Sequence, residues 1–222
     1  MTTVAMPKPH GDRGMEGVVA KWYASNTAEV MNEYSELAQR ISQEIAADSR
    51  VLEVAPGPGY FCVELARRGS FSITGLDISH TFVKIAAKNA EEAGVEVDFQ
   101  QGSASNLPFP RGSFDFLLCR AAFKNFAQPV AALQEMCRVL KPGGRGLIID
   151  LRGDASPHEI SSHVNRMGLS PFNRIMTKLA FKVMLLKSAY TKDQFQQMLA
   201  QTEFSKVDIS EADIGFEITM VK

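Results

Sequence analysis

The chain is 222 residues long, 45% apolar and 22% charged, with 24 basic against 25 acidic side chains. That apolar share can fill a core and excludes a disordered chain, and the balanced charge lacks the basic surplus expected of a nucleic-acid binder. The three cysteines, Cys62, Cys119 and Cys137, cannot all pair and show no C-x-x-C spacing, which argues against a disulfide framework and a cysteine zinc site and fits a reducing cytoplasm.

No apolar run approaches the ~18–20 residues of a membrane span, so a soluble, cytoplasmic protein without integral membrane association is expected. Residues 1–17, rich in glycine and proline, read as a mobile leader without the apolar core of a signal peptide. Residues 18–49 read as two helices interrupted at Ser25-Asn26-Thr27. Val30, Tyr34, Leu37, Ile41 and Ile45 form the buried face of the second.

From Arg50 short apolar runs alternate with helical segments. Val51–Ala55 reads as a strand that ends in Pro56-Gly57-Pro58-Gly59, and Tyr60–Arg68 as a helix closed by Gly69. Phe71–Leu76 is the second strand. Ser79 then caps a helix that turns Phe82, Ile85, Ala86, Ala90 and Ala93 inward and ends at Gly94. Val95–Gln101, Phe114–Cys119 and Gly146–Leu151 read as further strands, with a helix opening at Gln128-Pro129 and stopping at Lys141-Pro142-Gly143-Gly144. Five strands alternating with helices specify a doubly wound, mostly parallel α/β sheet with helices on both faces. Residues 152–190 read as a helical lid insertion. Thr191–Gln194 is a capping box for another helix, and Phe204–Glu211 with Asp213–Lys222 form an antiparallel hairpin at the sheet edge. Residues 18–222 are therefore expected to be one domain, with the core at 50–151 and the final helix and hairpin at 191–222.

Ligands of such sheets bind beyond the carboxyl ends of the strands, where Glu53, Gly57, Gly59, Asp77, Ser103 and Arg120 lie. A dinucleotide fingerprint G-x-G-x-x-G is weakened because Cys62 occupies its third glycine position. The run Glu53-Val54-Ala55-Pro56-Gly57-Pro58-Gly59 instead resembles the first motif, acid-x-G-x-G-x-G, of class I S-adenosylmethionine-dependent methyltransferases. Gly75-Leu76-Asp77-Ile78-Ser79, Gly102-Ser103-Ala104-Ser105-Asn106-Leu107-Pro108-Phe109, Ser113-Phe114-Asp115-Phe116 and Arg138-Val139-Leu140-Lys141-Pro142-Gly143-Gly144 resemble the family's later motifs, in order. The similarity covers residues 50–151, and the subgroup that includes ubiquinone- and menaquinone-pathway enzymes fits best.

The resemblance implies a seven-stranded Rossmann-like sheet, S-adenosylmethionine as cofactor, a small-molecule methyl acceptor, and no metal. Gly57 and Gly59 would leave room for the methionine part, Glu53 would attract its ammonium, Asp77 would accept from both ribose hydroxyls, and Ile78 would pack on adenine. Gly102, Ser103, Ala104 and Arg120 complete the expected cofactor set. Ala55 and Ser103 depart from the pattern. A methyl at position 55 is harmless at negative φ and costly at positive φ, while serine replaces the usual aspartate at 103 without its charge.

Candidate catalytic groups are Tyr23, from the N-terminal helices, and His158 and His163, from the insertion. The histidine spacing of five puts about 140° between them on a helix, so they do not share a face. Lys124-Asn125 stands where relatives often carry a histidine pair. The apolar face from Ile175 through Met184 to Leu186 reads as a lid packed on the core, a pocket for an apolar acceptor, or a membrane-surface contact. The functional alternatives are a non-catalytic binder of S-adenosylmethionine or its product, and a nicotinamide-dependent oxidoreductase.

Overall fold

The computed structural model describes residues 14–18, 20–21, 31–166, 175 and 188–222. Tyr23 and Met184, with most of the 173–190 segment, lie outside the described residues. Helix α1, Met31–Glu44, buries Leu37, Ala38 and Ile41, with Ile41 four and three residues after the other two, so that they share one face. It lies on the face of the sheet formed by β1 (Arg50–Val54) and the helix that follows, α2 (Tyr60–Ala66).

The remaining elements alternate as the sequence expects. They are β2 (Ser72–Asp77), α3 (His80–Ala93), β3 (Asp98–Gln101), β4 (Phe114–Arg120), α4 (Pro129–Val139) and β5 (Leu140–Leu151). After them come α5 (Pro157–Arg166), α6 (Lys192–Leu199), β6 (Lys206–Ala212) and β7 (Gly215–Val221). Seven strands form one sheet in the order β3-β2-β1-β4-β5-β7-β6. The first five pair in parallel, and β7 enters antiparallel to β5 with β6 on the outer edge. The chain reverses direction in the sheet between β1 and β4, so the carboxyl ends of those strands open a crevice.

Local chemistry explains the boundaries. Ser79 caps α3 by accepting from the Phe82 N–H, and Gly94 closes it at φ 67°. The capping box at Thr191 and Gln194 forms in full. Helix α2 is shorter than expected. It ends at Ala66 with Arg67 as a right-handed cap, so Gly69 is not its stop. Strand β5 begins earlier than expected, because Leu140 already pairs with Phe114. Arg145 then pairs with Phe116, and residues 141–144 bulge out between them. Residues 14–17, expected in the mobile leader, are instead tied to the start of α3. The Glu16 carboxylate accepts the backbone N–H groups of His80 and Thr81 at 2.9 and 3.1 Å.

The core fills both faces. Phe114, Phe123, Phe195 and Phe216 pack with Leu117 and Leu133 on one side, and Phe61, Phe116 and Leu65 with α1 on the other.

Candidate cofactor and acceptor site

The turn after β1 sets the geometry of the site. Ala55, Gly57 and Gly59 all adopt left-handed backbone, with φ of 58°, 55° and 76°. For glycine this conformation costs little, whereas an L side chain pays about 1–2 kcal/mol. Ala55 therefore meets the costly case rather than the harmless one. Around Gly57 there is open space for a ligand. Gly59 has a different task, since an added Cβ would lie 2.7 Å from the Phe99 ring and 2.8 Å from Ala86. It packs α3 and β3 against the turn and does not line the cavity, so it makes no room for the ligand directly.

A cavity of ≈ 400 Å³ opens at these strand ends, within the ~300–1,000 Å³ of small-molecule sites. Glu53, Ala55, Gly57, Asp77, Ile78, Gly102, Ser103, Ala104 and Arg120 all line it, so nine of the expected cofactor residues come together. The structure adds walls beyond the expected set: Leu76 and Phe82 on one side, Ala121, Ala122, Asn125 and Phe126 after β4, Tyr34 from α1, and Gly14 with Met15 from the N-terminal segment. Tyr34 and Phe82 carry helix-periodic signals, read from sequence as core, and Leu76 lies inside a quoted motif. Ala121, Ala122 and Phe126 had no signal beyond following a strand end, and Gly14 and Met15 had none.

Electrostatics concentrate on two buried acids. Asp77, 5% exposed, holds Oδ2 against the Gly57 N–H at 3.0 Å and Oδ1 against the Ser79 N–H at 2.8 Å. Burial raises its pKa, while those two N–H groups oppose the shift. Each oxygen keeps a lone pair for a further donor. Glu53, 3% exposed, accepts from the Cys62 thiol at 2.9 Å. Burial pushes Glu53 up to about 7, against the pull of Cys62 and of Arg120. Arg120 lies 4.3 Å over the Tyr34 ring and pairs with Glu33 at 2.5 Å, joining β4 to α1.

The two histidines are not in this wall. His158 is exposed on α5, and His163 Nδ1 pairs with Asp213 Oδ2 at the β6–β7 turn, where Arg166 also reaches Asp213. The structure does not bring either to the cavity, because the buried face of α5 is formed by Ile160 and Val164. Lys124 sits under the cavity wall instead. Its Nζ pairs with Asp150 at 3.0 Å and donates to the Ala121 carbonyl at 2.9 Å, fixing a turn in which Ala121 has φ 56°. Among the described residues no group of His, Cys, Asp and Glu could hold a metal ion. Nor is any helix there long and apolar enough to cross a membrane.

Residues 52–148 match the methyltransferase domain family. The uncharacterized methyltransferase YcgJ of Bacillus subtilis is 39% identical over 127 residues, which are 56% of this chain and 50% of that protein. The demethylmenaquinone methyltransferase of Deinococcus radiodurans is 39% identical over 108 residues, 48% of this chain and 45% of that protein. The chain thus spans about half the length of the curated relatives it matches. Among solved structures, a chain from Methanococcus maripaludis assigned to the S-adenosyl-L-methionine-dependent methyltransferases superposes with a TM-score of 0.72 at 25% identity, covering 91% of both chains. The [4+2]-cyclase SpnF shares the fold, with a TM-score of 0.64 at 19% identity over 85% of this chain and 80% of that one. The protein has the class I S-adenosylmethionine-dependent methyltransferase fold, and S-adenosylmethionine is the cofactor of that class. The five-motif resemblance read from the sequence agrees with these matches.

Proposed function

We propose that the protein transfers a methyl group from S-adenosylmethionine to a small molecule with an apolar body, in the manner of the quinone methyltransferases. The observation that carries this reading is the pair of buried carboxylates, Glu53 and Asp77, lining one cavity on either side of the open Gly57 turn. The residues fit the cofactor chemically. Asp77 has acceptor capacity left for ribose hydroxyls, Glu53 suits an ammonium, Arg120 suits a carboxylate, and Leu76, Ile78 and Phe82 offer an apolar slot for a base. Ser103 can accept from an exocyclic amine. The bound cofactor supplies a methyl already activated on a sulfonium, so the chain's own contribution is alignment and exclusion of water. Ala121, Ala122 and Phe126 make the wall after β4 apolar, which supports the acceptor class.

Residues 18–222 act in this reading as one domain with 152–190 as its lid, in a cytoplasmic setting that suits three free cysteines. Calorimetry with S-adenosylhomocysteine, followed by product release in the presence of reduced quinones, tests the proposal. Tight NADH binding without binding of either sulfur ligand would restore the oxidoreductase reading. A second reading, a cofactor-binding module without transfer, is favoured by the strained Ala55 and by Lys124 being held in an ion pair. The fold itself is neutral here, since a [4+2]-cyclase shares it. Binding with no turnover of any quinol or phenol offered would support that alternative.

A further inference from the structure

Cys62 does not line the cavity, yet its side chain is bonded to a group that does. It is fully buried on α2 and donates to Glu53 Oε2 at 2.9 Å, and its backbone N–H also acts on the Glu53 carboxylate. We propose that Cys62 is a positioning residue for the cofactor site: its thiol, by its hydrogen bond, fixes the Glu53 carboxylate at the cavity wall, ready for a cationic group. This rests on the reading that the ligand's ammonium meets Glu53.

The chemistry is that of a carboxylate in a poor solvent. A buried carboxyl group takes up a proton unless donors stabilise the charge, and a protonated Glu53 no longer attracts an ammonium. The groups facing Glu53 are few. Cys62 comes from α2, Arg120 and Cys119 from β4, and Asp77 from β2. Cys62 and Arg120 favour the charge on Glu53, whereas Asp77 opposes it. Burial first, and then Glu53 itself, push the Cys62 thiol well up, so it stays a neutral S–H donor and never a competing anion. A serine hydroxyl could do the same task. Alanine and valine could not.

The test is the affinity for S-adenosylhomocysteine, measured by calorimetry from pH ~6 to ~8.5, for wild type, Cys62→Ala, Cys62→Val, Cys62→Ser and Glu53→Gln. Wild-type affinity should fall as pH drops through about 7. Cys62→Ala should match wild type at the alkaline end and bind about two- to fivefold more weakly at pH ~7, the gap widening toward about three- to tenfold at the acid end, as an upward shift of half to one pKa unit requires. Cys62→Val leaves no cavity and repeats the test if the space left by alanine impairs folding. Cys62→Ser should restore the wild-type profile, and Glu53→Gln should be flat. Equal losses at every pH in the alanine and valine variants would reduce Cys62 to packing and overturn the inference. A profile superimposed on wild type would overturn it too, as would a wild-type-like profile in Glu53→Gln. Wild-type protein that binds no S-adenosylhomocysteine at any pH would instead sink the functional reading beneath it.

Discussion

Asp77 and Gly57 are 20 residues apart in the chain, yet Asp77 Oδ2 accepts the Gly57 N–H at 3.0 Å. The acid at the end of β2 thereby holds the turn at the end of β1 in its left-handed shape, while its other oxygen takes the Ser79 N–H at 2.8 Å. The side chain that lines the cavity also supports the backbone.

Asp77→Ala should therefore lose more than a ligand contact. Removing a charged hydrogen-bond partner costs about 1.5–3 kcal/mol in binding. Leaving the Gly57 and Ser79 N–H groups without their acceptor should also lower the thermal midpoint. Asp77→Asn keeps one acceptor oxygen and should sit between wild type and alanine in both measurements. Calorimetry with S-adenosylhomocysteine and thermal unfolding together check this. An alanine variant with unchanged affinity would remove Asp77 from the site.

Ala55→Gly should stabilise the protein. The strain of an L residue at φ 58°, about 1–2 kcal/mol, exceeds the ~0.5–1 kcal/mol of extra chain entropy that glycine loses on folding. Denaturant unfolding should show a net gain of about 0.5–1 kcal/mol with an unchanged m-value. A loss would mean that the methyl makes contacts in the turn worth more than its strain.

Much of this site was legible in the sequence, and the reasons are local. A glycine turn after a strand, an acid ending the next strand, and Ser79 before a helix each follow from backbone rules acting within a few residues. Residues brought in by long-range packing were not legible. Tyr34 reaches the cavity because α1 packs beside β1, and periodicity alone assigns it to the core. Glu16 sits in a glycine-rich stretch that looks mobile, and only the exposed N–H groups of α3, 64 residues away, give it a partner. His163 shows the converse. A histidine in the expected lid looked available for chemistry, but the hairpin turn places Asp213 beside it.

Glu53 makes stability depend on pH in a sense unusual for a carboxylate. Its ordinary value of 4.5 rises to about 7 on burial, so between those values the native state holds a proton that the unfolded chain has released. Stability without ligand should therefore fall as pH rises across this window, by on the order of 3 kcal/mol in total. Glu53→Gln should remove that slope and be the more stable protein at pH ~8, though a poor binder. Unfolding free energies of both proteins at pH ~5 and ~8 decide it, and parallel pH profiles would contradict the assignment.

Lys124 and Asp150 form a buried ion pair, with side-chain exposures of 8% and 1%. Lys124→Met takes the cation from Asp150, leaving it the backbone N–H groups of residue 124 and Leu151, and should cost about 3–5 kcal/mol, whereas Lys124→Met with Asp150→Leu should cost less. Because Lys124 also holds the Ala121 carbonyl, the single variant should lose cofactor affinity as well. Chemical denaturation of the two variants provides the comparison. A double variant as unstable as the single one would show that the turn needs the charges themselves.

Glu16 gives the last prediction, which concerns how the cavity closes. Gly14 and Met15 line it, and they are held there because the Glu16 carboxylate binds Thr81 and the first N–H groups of α3, while the Met15 carbonyl accepts from Ser79 Oγ at 2.5 Å. Gly14 fits closely, since a Cβ there would stand 2.9 Å from that of Ser79 and 3.0 Å from Ile78 Cγ2. The hydrogen bond from Thr81 holds the Glu16 carboxyl below its usual range, so this anchor persists at neutral pH and releases only in acid. Glu16→Ala removes the anchor without touching the cavity wall. The dissociation rate of S-adenosylhomocysteine, followed by stopped-flow displacement, should rise several-fold, while the association rate and the thermal midpoint change little, because Glu16 is exposed and distant from the core. Gly14→Val should act the same way by forcing the segment off Ser79. If both variants release the ligand at the wild-type rate, the 14–17 segment rests on the rim without closing it, and the barrier to release lies elsewhere in the wall.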